Sequence, residues 1–185
     1  MAIEIVFETH QLSEDNDRGL ATGWRHGRLS ARGEALAREL GDRRRDDGIA
    51  AVFTSDLYRA VQTVEIAFEG STIPVLHDWR LRECDFGELN GTPARDVHAA
   101  ARDLDEPYPG GESWLAAIQR VSRFLDDLPL RWSNPRVLVV GHVATLMGFE
   151  HRINGVPLED IRSVMDPWRE GWEFRFDADG AGSHG

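Results

Sequence analysis

The run Val137-Leu138-Val139-Val140 passes directly into Gly141-His142, and the same change from an unbroken apolar stretch to a polar cluster follows Ile3–Phe7 and Ala50–Phe53. Residues that are apolar at consecutive rather than alternate positions need cover on both faces of a strand. These runs, with Ile73–Leu76, therefore predict strands inside a sheet rather than on a half-wet one. Between them lie helical patterns: Ser30 can cap a helix running through Arg45, Asp56 can open one through Phe68, and Ser113–Leu128 carries apolar residues at helical spacing. Strands separated by helices imply an α/β fold of three layers, a mostly parallel sheet flanked by helices. Gly171–Phe176 alternates apolar and polar residues and predicts an added edge strand.

The stretch Asp78–Gly111 breaks the alternation with Gly87, Gly91, Pro93, Pro107, Pro109 and Gly110-Gly111, and reads as an excursion placed to cover a site. With no internal repeat and no linker, residues 1–176 are expected to form a single domain, and the small, polar residues 177–185 a flexible tail. A chain of 185 residues buries enough surface to hold a core without disulfides or metals. Its one cysteine, Cys84, has no partner for an internal disulfide, which fits a reducing, cytoplasmic setting. No apolar stretch approaches the roughly 20 residues of a membrane span, so no membrane partner is expected. The net charge of −11 repels polyanions and argues against nucleic acid, while leaving a small anion possible wherever a few arginines set the local potential.

In an open α/β sheet, ligands bind beyond the carboxyl ends of the strands. The residues found there are Thr9, His10 and Asn16 after the first run, Thr54-Ser55-Asp56-Leu57-Tyr58-Arg59 after the second, Arg80, Arg82 and Glu83 after the third, and His142 after the fourth. Two imidazoles, arginines and a carboxyl suit an anion site, with one imidazole as nucleophile, the carboxyl as proton donor, and the rest as donors to oxyanions. The remaining histidines, His26, His77, His98, His151 and His184, show no metal-site spacing. Neither a Gly-x-Ser-x-Gly elbow nor a phosphate loop is present, which sets aside serine hydrolases and nucleoside triphosphatases.

The stretch Thr54-Ser-Asp-Leu-Tyr-Arg-Ala-Val-Gln-Thr63 resembles the Ser-Asp-Leu-x-Arg-Ala-x-Gln-Thr motif of the histidine phosphatase superfamily, in its phosphoglycerate-mutase-like branch. Thr9-His10 with Asn16 and Gly23-Trp24, Leu81-Arg82-Glu83 through Gly91, and Val139–His142 fall in that family's order. The resemblance implies that His10 is the phospho-accepting nucleophile and Glu83 the acid. It further implies that Arg59, His142 and Asn16 hold the phosphoryl oxygens of a small phosphorylated substrate, with Thr9, Ser13 and Arg82 beside them. It implies no cofactor and no metal.

Two departures stand out. Thr9 occupies the place of the family's arginine before the histidine, exchanging a planar fork for one neutral hydroxyl, and Val143-Ala144 replace glycines after His142. Lost hydrogen bonds to a charged group are worth roughly 1.5–3 kcal/mol, so compensation is expected from Arg18, Arg25, Arg28, Arg80 or Arg82. The expected function is a metal-independent phosphomonoester hydrolase. The alternatives are a phospho-ligand-binding protein that lost turnover with the arginine, and a phosphoglycerate-type mutase. The basic run Arg43-Arg44-Arg45 reads as a solvated helix end.

Overall fold

The computed structural model describes residues 2–100, 103–132, 135–164 and 170–177. The chain runs β1 (Ala2–Thr9), α1 (Glu14–Asp17), β2 (Leu20–Ala21), α2 (Ala31–Arg44), β3 (Ala51–Thr54), α3 (Tyr58–Ala67), β4 (Val75–His77), β5 (Thr92–Pro93), α4 (Ala94–Ala100), α5 (Trp114–Arg131), β6 (Arg136–Gly141), α6 (Val143–Asn154) and β7 (Trp172–Asp177). The main sheet has the order β4-β3-β6-β1-β7, parallel except for β7, which pairs antiparallel with β1.

The unbroken apolar runs are explained by the two cores they serve. Ile3, Ile5 and Phe7 of β1, with Val137 and Val139 of β6, pack against Phe124 of α5 and Phe149 of α6. Val6, Leu138 and Val140, the intervening residues, face Leu40 of α2 and Ala60 and Val64 of α3. A strand read on both faces thus divides its side chains between the two helical layers, and the hydrophobic effect holds register, since a slip by one residue would exchange the two sets.

The strand expected at Ile73–Leu76 is shorter than predicted and is not buried: all of β4 is exposed, because it lies at the sheet's edge. The strand at the opposite edge, β7, buries alternate residues Trp172, Phe174 and Phe176, as the alternation predicted. Ser30 caps α2 by accepting from the Gly33 amide, and Ser113 caps α5 by accepting from that of Ala116. Asp56 does not cap α3, whose first residue is Tyr58; its carboxylate is taken by Arg82 instead.

The end of α2 is also less solvated than expected. Arg44 bonds the buried carboxylate of Glu8 at 2.8 Å, and Arg45 donates to the carbonyl of Ala67. Residues 78–111 carry two short 3-10 turns, β5 and α4, and β5 pairs with β2 in a second, two-stranded sheet. Of the tail expected at 177–185, Asp177 closes β7 and the rest lies outside the described residues. Among the described residues no helix is long and apolar enough to cross a membrane.

Candidate active site

The sheet ladder continues past the strands, His10 N–H donating to Gly141 O at 2.9 Å and Ser55 N–H to Val140 O at 3.1 Å, so the polar residues that end β1, β3 and β6 share one rim. The signature after β3 does two jobs. Arg59 enters the site, while Thr63, one turn later on α3, accepts from the Gln11 amide at 3.0 Å and Gln62 accepts from the Leu29 amide at 2.8 Å. The first bond pins the loop that follows β1, and with it His10, and the second holds the segment leading into α2.

The tautomer of His10 follows from its partners. Gln11 O can only accept, so His10 Nδ1, 2.7 Å away, carries the proton; the Arg59 Nε–H can only donate, so His10 Nε2, 3.1 Å away, presents a lone pair. Burial, and then the Arg59 charge, lower the His10 pKa to about 3 against the opposing pull of the Gln11 carbonyl, which keeps the ring neutral. The ring of His142 lies 5.0 Å from that of His10. Its Nδ1 accepts from Arg59 Nη2 at 3.2 Å, which places its proton on Nε2, a buried atom with no partner among the described residues.

Arg59 is 2% exposed and uses Nε on His10 and Nη2 on His142 and on Gly23 O, leaving Nη1 buried and also without a partner among the described residues. Burial lowers even this guanidinium to about 10, with Glu83 and Asp15 pulling the other way. Two buried donors without acceptors among the described residues suit an oxyanion. Gly23 is required where it stands: its φ is +55°, and a Cβ would lie 1.7 Å from Asn90 Oδ1, which already accepts from the amides of Trp24 and Phe86.

Glu83 is held from three sides. Its Oε1 accepts from the amides of Cys84 at 2.9 Å and of Ala144, in the first turn of α6, at 3.2 Å. Its backbone carbonyl accepts from Trp24 Nε1 and Arg120 Nη2. Burial raises its pKa despite those bonds, which suits a carboxyl that holds a proton to give away. Arg120, 2% exposed, also donates to the carbonyls of Arg80 and Arg82 and pairs with Glu112 at 2.6 Å. The sequence analysis did not single it out, although an arginine between Ala117 and Phe124 on the apolar face of α5 was a signal available there.

His10, Asn16, Arg59 and Glu83 line a cavity of about 530 Å³. Asn16 Oδ1 accepts from both the amide and the hydroxyl of Ser13, which leaves Nδ2 as the donor of that side chain. Three expected phosphate contacts are corrected. Ser13 is fully buried, its hydroxyl occupied by Asn16. Arg82 forms a two-pronged pair with Asp56 at 2.7 and 2.6 Å and lies over Trp24. Thr9 lines a separate cavity with Arg32, Leu36, Arg43 and Glu170, on which His10 also borders.

None of Arg18, Arg25, Arg28, Arg80 and Arg82 is in the lining of the 530 Å³ cavity; Arg80, for example, is committed to Asp78 and Asp127. The arginine that does join Arg59 there is Arg162, from the turn after α6, which no strand-end argument could find. Cys84 is fully buried with its thiol pKa raised by desolvation and neighbouring carboxylates, and is no nucleophile.

Two predictions arise from this geometry. Arg59→Lys keeps a charge but loses the fork that spans His10, Gly23 and His142, and is expected to weaken orthovanadate binding by about tenfold to a hundredfold, measured by tryptophan fluorescence. Both histidines have native pKa values below the ordinary 6.5, so their stabilising contribution is fully present above that pH and is lost as pH falls below it, for His10 down to about 3. Each contributes a slope of up to about 1.4 kcal/mol per pH unit, which urea titrations at pH 7 and 5 should show as smaller in His10→Asn than in the unaltered protein. Glu83, raised above 4.5, works in the opposite direction.

The sequence profile of the histidine phosphatase superfamily, branch 1, matches residues 7–169. This chain belongs to that superfamily. A 2,3-bisphosphoglycerate-dependent phosphoglycerate mutase of Methylobacterium sp. (strain 4-46) is 34% identical over 173 residues, covering 85% of this chain and 83% of that protein. Among solved structures, Bacillus stearothermophilus YhfR matches with a TM-score of 0.83 at 25% identity, covering 97% of this chain and 93% of its own. The alpha-ribazole phosphatase from Shigella flexneri matches with a TM-score of 0.77 at 27% identity, covering 86% and 83% respectively. Histidine phosphatases of this branch thus include relatives named as phosphatases and as mutases, on the α/β sheet described above.

Proposed function

We propose that the protein is a phosphomonoester hydrolase working through a phosphohistidine at His10, with side chains rather than a metal ion balancing the phosphoryl charge. The observation that carries this reading is the Gln11 carbonyl on His10 Nδ1, which leaves the Nε2 lone pair beside the unpartnered donors of Arg59 and His142. A phosphoryl group entering the cavity takes the Arg59 Nε–H from His10 and frees that lone pair for in-line attack. The new bond is Nε2–P; the bond that breaks is P–O to the alcohol, whose oxygen takes the proton of Glu83. The imidazolium formed keeps its Nδ1–H on Gln11 O. The carboxylate of Glu83 then removes a proton from water as its oxygen attacks phosphorus, the P–N electrons return to Nε2, and phosphate leaves with Glu83 protonated again.

The test is a phosphomonoester panel with excess EDTA, followed by acid quench and intact mass during turnover. A phosphoprotein adduct on the unaltered chain, absent from His10→Ala, supports the reading; turnover with no dependence on His10 sinks it. Similarity to a mutase at 34% identity favours one second reading, phosphoryl return to a sugar acid. Interconversion of 2- and 3-phosphoglycerate in the presence of the bisphosphate, without release of inorganic phosphate, would establish it in place of hydrolysis.

A further inference from the structure

The cavity over His10 is two-faced. Besides the polar floor, the cavity is lined by an apolar set, Phe86, Val97, Trp114, Val143 and Met147, supplied by residues 78–111 and by α5 and α6. Four of these belong to one buried cluster, with exposures of 6% for Phe86, 1% for Val97, 8% for Trp114 and 4% for Met147; Val143 packs against that cluster. Trp114 has a single polar atom, Nε1, and it donates away from the cavity to Tyr108 Oη at 3.1 Å, so the indole offers a ligand only carbon surface. Phe86 packs between Trp114 and Tyr108, with ring centroids 5.9 and 5.2 Å away, which holds the wall in place.

Beyond the floor, three polar side chains share the lining: His98, Arg162 and Thr22, whose hydroxyl donates to Asp15. Arg162 also borders the neighbouring groove of Asp103, Asp105 and Glu159, where carboxylates outnumber it.

Building on the phosphomonoesterase reading, we propose that the body of the substrate beyond its phosphoryl group is apolar, an aryl or alkyl group with the phosphoryl group as its one anion, selected by Trp114 and Met147. A sugar or a sugar acid turned toward this wall would shed water from its hydroxyls without recovering hydrogen bonds, losing roughly five- to a hundredfold in affinity for each. A buried methylene gains about fourfold. The acidic groove next to Arg162 disfavours a second negative charge at the mouth. The volume of about 530 Å³ accommodates a phosphoryl group and a body of one or two rings.

Calorimetric titration with phosphonates, which bind without being cleaved, tests the wall independently of turnover. Affinity is expected to rise at least tenfold from methylphosphonate to phenylphosphonate and again to naphthylmethylphosphonate, and the gain should shrink at least threefold in Met147→Gln. Equal affinities across the series in the unaltered protein, or a tighter fit for a polyhydroxylated phosphonate, overturn the proposal whatever the variant does. If esters are hydrolysed but phosphonate affinity is flat, the hydrolase reading survives and the apolar selectivity falls. If no ester is hydrolysed but affinity climbs as expected, the selectivity stands and the hydrolase reading falls.

Discussion

Exchange of His10 for alanine is expected to lower kcat by at least about a thousandfold on every phosphomonoester the protein accepts, because the proposed attacking atom, the Nε2 lone pair beside Arg59, goes with the ring. His142 cannot take over. Its Nδ1 already accepts from Arg59 and its Nε2 carries the proton, so it stands as a donor and not as a nucleophile. Binding should survive better than turnover, since Arg59, Asn16 and His142 remain. Phenylphosphonate affinity in His10→Ala is therefore expected within about tenfold of the unaltered protein. Parallel loss of binding and turnover would mean that the variant has disordered the floor rather than removed its reactive atom, and the mass of the quenched protein distinguishes the two.

Glu83→Gln is the second large effect, and its size should depend on the ester. An alkyl leaving group needs the proton of Glu83, and its loss is expected to cost about a hundred- to ten-thousandfold in kcat/KM. A p-nitrophenyl leaving group departs readily as the anion and should lose far less in the first step, leaving dephosphorylation of His10 as the slow one. Glutamine keeps the acceptor for the Cys84 and Ala144 amides, so the local backbone should hold. Phosphoenzyme accumulating with p-nitrophenyl phosphate but not with an alkyl ester would identify Glu83 in both steps. Equal losses on both esters would assign it to structure alone. Because burial raises the Glu83 carboxyl, kcat/KM for alkyl esters should fall as pH rises through that raised value, and this limb should vanish in the glutamine variant.

Much of this was legible along the chain, and the reason is the period of the pattern. Two-faced burial writes itself as consecutive apolar residues, so β1, β3 and β6 could be recognised, and the residues just past their ends, His10, Arg59 and His142, were candidates by position alone. Ser30 and Ser113 were found as caps because capping is a local bond between residues three apart. β4 was misjudged, since Val75 and Leu76 look like buried strand residues yet lie on an open edge, and which strand ends a sheet depends on all the others.

The allocation of arginines was beyond reach for the same kind of reason. Guanidinium groups go where unpaired carboxylates and carbonyls await them. Arg82 found Asp56, Arg44 found Glu8, and Arg120 found the carbonyls around Glu83, across separations from 26 to 40 residues.

What the sequence determined by itself is therefore the layered α/β frame and which polar residues gather at its rim, because both follow from short-range periodicity and from where a strand ends. Only the tertiary structure decided that Thr9, Ser13 and Arg82 stand aside, that Arg162 borders the cavity, and that His10 carries its proton on Nδ1. Each of those outcomes rests on a partner distant in sequence or on the direction of a side chain. A long side chain commits to whichever buried partner completes its hydrogen bonds, and that partner exists only once the chain has folded.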